Sequence, residues 1–311
     1  MSTGRLHRAL DAIDAANAED PTVITVRDRT GPKEIVHAEL VSAWVTRMVR
    51  DADEPLLLAA RGHHFRRWTS PRSTYPAGRA GYLRWRKDLH GQHARELGAL
   101  LEEVGYDAPT IARVQALVRK EGLGRDRDAQ TLEDALCLVF LETQLDDVAA
   151  RLDAETLQRV IMKTARKMSA DGLALIAEVP LTPGSRRVLD EALARDVVQR
   201  YLGALGTQDW SALANTLAPG VHRVGPYRDV CDGRDVYAAF LETTITGLAG
   251  YDLAVARITA NGGTVAVELS ETVDDGDSRL RTDEVVIFDV ADGLIARVAV
   301  YLQTSERRSG G

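Results

Sequence analysis

Histidine and acidic side chains in the first part of the chain have the types and spacing of metal ligands. His37, His63, His64 and His93 fall on three successive predicted helices, and Asp134 precedes a fourth that is apolar all round. Imidazoles and a carboxylate inside a helical bundle suit Fe, Mn or Zn. We predict a divalent metal held by His64, His93 and Asp134, with His37 or His63 completing the site. The alternative is that His64 and His93 are hydrogen-bonded core residues.

A basic segment over residues 61–87 contains eight Lys and Arg residues and no acidic residue. Arginine binds phosphate and carboxylate through paired hydrogen bonds, and the interleaved aromatic side chains can stack on a base. The segment therefore predicts a pocket for a small anionic ligand, plausibly phosphorylated. The predicted anion-binding residues are Arg66, Arg67, Arg72, Arg84 and Arg86. The alternatives are a solvated basic face or an internal ion-pair network, and a nucleic-acid surface is disfavoured.

Acidic residues flank the most apolar predicted helix. Glu133, Asp134 and Glu142 bracket seven consecutive apolar residues, 135–141. A buried carboxylate without a partner is costly, so these groups need cations, hydrogen-bond donors or a metal. For Glu133 the simpler interpretation is a favourable position in the first turn of the helix, near its positive dipole end.

The elements that must position these residues are helical. Apolar residues recur with helical period, and Asp, Pro, Gly and Thr provide start and stop signals. The strand-like alternation before residue 180 is confined to residues 22–26. Helices are predicted over residues 35–49, after Asp53, from about Gly81 to Gly105, over 109–119, from Thr131 and over 155–168.

The second part opens on a cluster of helix-breaking residues at 180–184 and then changes character. An uninterrupted helix is predicted across residues 186–205, and two shorter helices follow. Strand alternation then appears at residues 253–258, 265–273, 285–290 and 295–303, with turn signals at 274–277 and 292–293. Helices followed by an antiparallel sheet predict an α+β fold with domains at residues 1–190 and 191–311.

Composition indicates a folded protein. Of 311 residues, 45% are hydrophobic and 27% are charged, which excludes a disordered or collagen-like chain. Positive and negative residues balance at 28 each up to Asp190, whereas the remainder has 11 basic and 18 acidic residues. Two cysteines, Cys137 and Cys231, form no disulfide framework or zinc motif. Without an apolar run of membrane length or a secretory signal, we expect a cytoplasmic protein with no membrane partner.

The second part also carries motifs of a known superfamily, at residues 198–202, 209–210, 225–229, 233–234, 267–271, 281–284 and 300–303. From about residue 196 to residue 304 the chain resembles the SnoaL-like, nuclear transport factor 2-like superfamily. The resemblance implies a cone-shaped α+β domain with a curved antiparallel sheet around a pocket. Its members include cyclases, isomerases, dehydratases and binding or dimerisation modules, so the fold implies a pocket and no particular reaction.

The SnoaL-like resemblance also implies a carboxylate acid or base at the mouth of the cone. Asp229, beside Tyr227, is the best catalytic candidate, with partial burial expected to raise the pKa of its carboxyl toward the working pH. An alternative for Arg281 and Glu284 is a cross-strand salt bridge. The other pocket candidates are Glu271, Arg281, Glu284 and Tyr301.

The first part carries motifs of a second family at residues 12–17, 19–21, 32–34, 66–68, 71–73, 75–76, 79–86, 131–134, 138–142 and 167–169. Over roughly residues 6–190 the chain resembles domain-of-unknown-function family 4202, which brings no established activity. More loosely, the pattern is similar to the all-α bundle of histidine-aspartate (HD) metal phosphohydrolases. That resemblance implies the same metal ligands in the same order, although the HD pair is replaced here by His63-His64.

Three functions are consistent with these patterns. The first is a metal-dependent, hydrolase-like enzyme acting on a small anionic molecule in the helical domain. The second is an acid/base isomerase or cyclase in the SnoaL-like domain, and the third is a non-enzymatic ligand-binding or scaffold protein. We also expect a homodimer through the C-terminal domain, because Val298, Val300 and Leu302 are predicted to form a second apolar sheet face that needs cover.

Overall fold

The computed structural model describes residues 2–276 and 278–303 and divides the chain into two compact units. The helical unit comprises Met1–Asp147 and Thr164–Pro180. The sheet unit comprises Val148–Lys163 and Leu181–Gly311. Asp277, part of a predicted turn, and Thr304, where the resemblance to the SnoaL-like superfamily ends, lie outside the described residues.

The first part of the chain is mostly helical, as predicted, and its strands form a two-stranded antiparallel hairpin. Single helical turns occupy Arg67–Thr69, Arg72–Thr74 and Leu175–Glu178. The elements are α1 (Ser2–Asn17), β1 (Val23–Val26), β2 (Arg29–Pro32), α2 (Lys33–Met48), α3 (Glu54–Gly62), α4 (Gly78–Val104), α5 (Ala108–Val118), α6 (Arg127–Arg151), α7 (Ala154–Ala165) and α8 (Ala170–Ala174).

Local sequence explains where these helices begin and end. The Asp53 carboxylate accepts a hydrogen bond from the backbone N–H of Leu56 at 2.9 Å, and Asp107 does the same for Thr110 at 2.9 Å. Each carboxylate satisfies a free N–H of the first helical turn and favours the positive helix end. Gly105 ends α4 at φ 94°, a left-handed conformation that glycine adopts without a steric cost.

The second part contains α9 (Pro183–Gly206), α10 (Trp210–Ala214), β3 (Leu217–Val224), β4 (Val230–Asp232), α11 (Arg234–Ile245), β5 (Asp252–Asn261), β6 (Thr264–Asp275), β7 (Ser278–Ala291) and β8 (Leu294–Leu302). The predicted uninterrupted helix across residues 186–205 is confirmed as α9. The six strands pair in the order β4-β3-β8-β7-β6-β5. One pair, β3 with β8, is parallel, so the sheet is mixed where an antiparallel one was expected.

The core of the sheet unit lies between α9 and the inner face of the sheet. Val197, Val198 and Tyr201 of α9 are buried, and the Tyr201 ring meets Phe288 of β7 edge-on at 5.3 Å between ring centroids. Edge-on contacts between aromatic rings add stability beyond the area they bury. The helix and the sheet are therefore packed as one hydrophobic core.

The prediction that Val298 and Val300 of β8 lie on the outer face of the sheet is wrong. Val298 pairs with Phe288 and Val300 with Val286, and residues directly opposite each other in an antiparallel pair share a face. Val298 is 0% exposed and belongs to the core. The outer face of this strand instead carries Tyr301, which is 56% exposed.

Among the described residues, no helix combines the length and the apolar character needed to cross a membrane.

Candidate functional site

A cluster of metal-ligand side chains lies at the start of α2 and the end of α3. One possible ligand atom each from Glu34, His37 and His64 lies within 4.8 Å of the others. Glu34 and His37 share a face of α2 because they are three residues apart. His64 Nδ1 donates a hydrogen bond to Glu34 Oε2 at 3.1 Å, and His37 Nδ1 lies 3.9 Å from the same oxygen.

The histidines of this cluster are neutral near pH 7. Burial lowers the pKa of His37, and burial together with the nearby Arg67 guanidinium holds the pKa of His64 well below its usual range. A neutral imidazole offers a lone pair to a metal, and the buried Glu34 carboxylate supplies the negative charge. Two imidazole nitrogens and one carboxylate oxygen are a donor set suited to Fe, Mn or Zn.

The other two predicted imidazoles lie beside the cluster. The His63 ring centroid is 4.2 Å from that of His64, and the His93 centroid is 5.9 Å from it. Both rings donate Nδ1–H to backbone carbonyls, of Ala60 at 2.9 Å and of Phe65 at 2.8 Å. Burial lowers the pKa of His93 to about 4, and its Nε2 is buried with no hydrogen-bond partner among the described residues.

Asp134, the predicted carboxylate ligand, has another role. It accepts hydrogen bonds from the backbone N–H of Ser169 at 2.9 Å, from the Ser169 hydroxyl at 2.5 Å and from Gln130 Nε2 at 2.9 Å. These bonds fix the start of α8, where Ser169 is the N-cap. Glu34 is the carboxylate of the cluster instead. Its Glu-x-x-His spacing to His37 is a metal-ligand pattern of helical bundles that could have revealed it.

A cavity of about 130 Å³ adjoins the cluster, with His64 in its wall. Arg67, Arg86 and Lys120 supply positive charge, and imidazole, aromatic and aliphatic side chains form the rest of its surface. The lining residues are His63, His64, Arg67, Tyr82, Trp85, Arg86, Leu89, His90, Leu117, Val118, Lys120, Leu132 and Leu136. All of them belong to the helical unit.

The cations of the cavity are held by specific contacts. The Arg67 guanidinium lies 5.0 Å from the centroid of Trp85, and Arg67 Nε lies 4.0 Å from Glu34 Oε1. Lys120 has a left-handed backbone at φ 60° and forms an ion pair with Glu133. Arg67 therefore links the cavity to the metal-ligand cluster, because its guanidinium also faces Glu34.

The structure separates the predicted anion-binding arginines. Arg67 and Arg86 line the cavity. Arg72 instead donates to backbone carbonyls in its own loop at 2.9 and 2.7 Å. The Arg84 side chain is 78% exposed, and Arg66 is also exposed. Residues two apart on a helix point in nearly opposite directions, so α4 cannot present Arg84 and Arg86 to one cavity.

Two basic residues of the cavity, His90 and Lys120, were not predicted from the sequence. His90 follows Arg86 by four residues and so lies one turn further along the same face of α4. That spacing was a usable signal. Lys120 sits in the turn after α5 and carried no recognisable sequence signal.

The buried carboxylates around α6 have cationic partners, as their burial requires. Glu133 pairs with Lys120 and lies 3.5 Å from Lys167 Nζ. Glu142 accepts a hydrogen bond from Arg27 Nε at 2.8 Å. These contacts account for the charge of both carboxylates within the helical unit.

In the sheet unit, Asp229 forms an ion pair with the buried Arg223. Burial alone would raise the pKa of Asp229, but the hydrogen bond and charge of Arg223 prevail and lower it. The expected upward shift at Asp229 is therefore wrong. Tyr227, its predicted partner, is 84% exposed.

Glu284 is a buried carboxyl of the sheet unit whose pKa is raised. Burial raises the pKa of Glu284 to about 7, and the neighbouring Glu271 carboxylate acts in the same direction. Glu284 lies opposite Leu269 on β6, which places it diagonal to Glu271 on one face of the sheet. Glu271 accepts a hydrogen bond from the Tyr251 hydroxyl at 2.7 Å. Arg281 pairs with Asp283 at 2.8 Å, so the alternative Arg281–Glu284 salt bridge is not formed.

A pair of tyrosines adds to this polar interior. The Tyr201 and Tyr237 hydroxyls are hydrogen-bonded at 2.6 Å. Burial raises the pKa of Tyr201 well above its ordinary value and that of Tyr237 to about 12. The Arg223 guanidinium lies 4.6 Å from the centroid of the Phe240 ring. Both tyrosines therefore retain their protons near pH 7.

Several solved structures are similar to this chain. A candidate ketosteroid isomerase from Kribbella flavida DSM 17836 is 28% identical over 39% of this chain and 86% of its own, with a TM-score of 0.34. An LEH-like epoxide hydrolase from M. tuberculosis is 23% identical over 36% and 84%, with a TM-score of 0.34. A candidate polyketide cyclase from Xanthomonas campestris pv. campestris is 26% identical over 37% and 93%, with a TM-score of 0.33. No curated protein matches the chain.

Family models match both parts of the chain. Residues 198–298 match the SnoaL-like domain, which confirms the resemblance found from the motifs of the second part. Residues 7–189 match the family described as Domain of unknown function (DUF4202), and this match spans more than half of the sequence. The chain therefore belongs to the DUF4202 family and carries a SnoaL-like domain after it.

Proposed function

We propose that the helical unit is a metal-dependent, hydrolase-like site for a small phosphorylated anion. The observation that carries this proposal is the shared position of His64. It belongs to the ligand cluster with Glu34 and His37, and it also lines the cavity that contains Arg67 and Arg86. A metal site next to a cationic cavity suits the hydrolysis of a phosphate ester, because the metal can activate water while the cations neutralise the phosphate oxygens.

In this proposal the cavity encloses the anionic head group. Arg67, Arg86 and Lys120 offer charge-assisted hydrogen bonds to its oxygens. A cavity of about 130 Å³ is close in size to one that holds a single benzene ring, so most of a larger ligand stays outside. Glu34, His37 and His64 would hold the metal, which supplies Lewis-acid polarisation or an activated water when bound.

Anion binding is tested with inorganic phosphate in a calorimeter. Arg86→Met should weaken binding at least tenfold, because a hydrogen bond to a charged group contributes about 1.5–3 kcal/mol. Arg84→Met is the matched control, since Arg84 lies on the same helix with a 78% exposed side chain, and it should change the affinity less than twofold. Equal effects of the two variants would contradict the cavity as the binding site.

Metal binding is tested by elemental analysis after growth in medium replete in Fe, Mn and Zn. Glu34→Gln and His37→Asn should lose most of the bound metal, and a chelator should lower the melting temperature of the native protein. His222→Asn, in the sheet unit, is the control and should retain it. A native protein that is metal-free and unaffected by chelator would reject the metal while leaving anion binding to its own test.

The alternative function is acid/base isomerisation or cyclisation in the sheet unit. The observation that favours it is Glu284, a buried carboxyl whose pKa of about 7 suits a proton carrier at neutral pH. The test is deuterium exchange into an enolisable cyclic ketone, followed by NMR. Glu284→Gln should abolish exchange and Asp229→Asn should preserve it.

Tight ligand binding with neither exchange nor phosphate release would favour the third function, a non-enzymatic binding protein.

We also propose a homodimer through the outer face of the sheet. Val285 and Tyr301 lie directly opposite each other there and are 37% and 56% exposed. Pairing with a second copy would cover both side chains. Light scattering at micromolar concentration should give twice the chain mass, and Tyr301→Asp should give the monomer. A monomeric mass for the native protein would contradict the dimer.

A further inference from the structure

His90 lies in the wall of the cationic cavity without a partner. It is on α4, one turn after Arg86, and its side chain is partly buried. Within the part of the chain that the structure describes, its ring forms no hydrogen bond. Both nitrogens are therefore available to a molecule that enters the cavity.

Positive charge reaches His90 from three elements. Arg67 comes from the segment after α3, Arg86 from α4 itself and Lys120 from the turn after α5. The acidic group facing it is Glu133 of α6, which is already paired with Lys120. Burial lowers the pKa of His90 to about 4, and the three cations act in the same direction.

The other imidazoles around the cavity are hydrogen-bonded at Nδ1. His63 and His93 donate Nδ1–H to backbone carbonyls, and His64 donates to Glu34. Tyr82 also lines the cavity, and its ring centroid lies 5.9 Å from that of Trp85. Among the described residues His90 is the imidazole of the cavity with no hydrogen bond at either nitrogen, so it can take up a proton and donate from either nitrogen to a bound anion.

A dianion bound in the cavity opposes the positive electrostatic potential that the three cations create at His90. One unit charge at ~5 Å, with an effective dielectric constant of ~20, shifts a neighbouring pKa by roughly two units. Two negative charges therefore offset the three cations and favour the imidazolium form. We propose that the cavity takes up its anion together with one proton, which His90 holds. This inference rests on the proposed anion site and adds the protonation state in which that site binds.

The consequence is a pH-dependent affinity. The free protein has a neutral His90 and the complex a protonated one, so a proton is consumed on binding. Affinity for a dianion should then rise about tenfold for each unit by which pH falls, between the pKa of His90 in the complex and its lower value in the free protein. Sulfate is the suitable probe because it remains a dianion throughout that range.

The experiment is calorimetric titration of the full chain with sodium sulfate at pH 6.5, in two buffers with different ionisation enthalpies. The native protein should take up close to one proton per sulfate, and affinity should rise between pH 7.5 and pH 5.5. His90→Gln should bind sulfate with no proton uptake and with a flat pH profile. His222→Gln, in the sheet unit, should behave as the native protein.

The outcomes separate the two levels of the proposal. Failure of the native protein to bind sulfate would overturn both the anion site and the role of His90. Sulfate binding without proton uptake, or uptake that persists in His90→Gln, would overturn the role of His90 alone. If His90→Gln does not fold, the ring carbon NMR shifts of His90 in the native protein decide. They should move to imidazolium values when sulfate is added, and unchanged shifts would refute the proposal.

Discussion

The two units bury ionisable groups of different kinds, and burial favours the neutral form of each. In the helical unit, burial and nearby cations lower the pKa values of His64, His90 and His93, so these groups are neutral among positive charges. In the sheet unit, burial raises the pKa of Tyr237 and raises that of Glu284 to about 7, so Tyr237 retains its proton at neutral pH and Glu284 is mostly protonated below it. We propose that the first interior receives negative charge, whereas the second contains acids whose ionisation is disfavoured.

Charge balance adds to the difference. The cavity of the helical unit contains Arg67, Arg86 and Lys120. Lys120 is paired with Glu133 and Arg67 Nε lies 4.0 Å from Glu34, so among the described residues Arg86 is the cation of the cavity without a carboxylate partner. In the sheet unit the buried Arg223 is already paired with Asp229. A cation without a carboxylate partner favours the binding of an anionic ligand, whereas a paired cation leaves no excess positive charge to favour ionised acids.

The largest expected effect concerns Arg223. Arg223→Met removes the hydrogen bond of the buried Arg223 to the half-exposed Asp229 and its contact with the Phe240 ring, so the unfolding free energy should fall by about 3 kcal/mol. Arg281→Met is the control, because its ion pair with Asp283 is exposed and surface pairs contribute little. Urea denaturation measures both. Equal losses would show that the buried pair is not special to this unit.

The next effect depends on pH. The raised pKa of Glu284 means that the folded state favours the protonated acid. The stability that this gives is therefore lost as the pH rises from about 4.3, the ordinary pKa of a Glu carboxyl, to about 7, the pKa of Glu284 in the folded protein. Gln mimics the protonated form. After a discount for partial solvent access, Glu284→Gln should be about 2 kcal/mol more stable than the native protein at pH 8 and equal to it near pH 4.

Thermal denaturation across that pH range provides the measurement. Glu268→Gln is the control, since Glu268 forms an exposed ion pair with Arg257 and its effect should not vary above pH 5. A constant difference between Glu284→Gln and the native protein at every pH would show that folding does not change the pKa of Glu284. The contrast between the two interiors would then be lost.

The smallest expected effect tests the assignment of Asp134. Asp134→Asn weakens the hydrogen bonds to Ser169 and should cost about 1 kcal/mol of stability, as expected for a helix-terminus contact. Phosphate affinity and metal content should stay at native values. Loss of metal in this variant, with Glu34→Gln unaffected, would restore Asp134 as the ligand in place of Glu34.

The sequence predicted elements well wherever the signal was periodic. Helices α2 to α7, the hairpin strand at residues 22–26 and α9 follow from apolar spacing and capping residues, whereas α1 and α8 were not predicted. The phase of β8 was predicted wrongly because alternation identifies two faces without stating which one meets α9. Val298 faces the core because it pairs with Phe288, and Phe288 belongs to a different strand, β7.

The candidate site was harder to predict because its contacts join distant segments. Asp134 accepts hydrogen bonds from Ser169, 35 residues later, and nothing near Asp134 in the sequence indicates this contact. Arg84 and Arg86 look equivalent in composition but lie on different faces of α4. Lys120 reaches the cavity from a turn, where no periodic pattern specifies direction.

The division of the chain has a genetic consequence. The backbone passes between the units after Asp147, after Lys163 and after Pro180, so it changes unit three times. A single recombination point can therefore not exchange one whole unit for that of a relative. A gene fusion joined at residue 181 would separate Val148–Lys163 from the rest of the sheet unit, and those residues would have to be inherited together with the helical part.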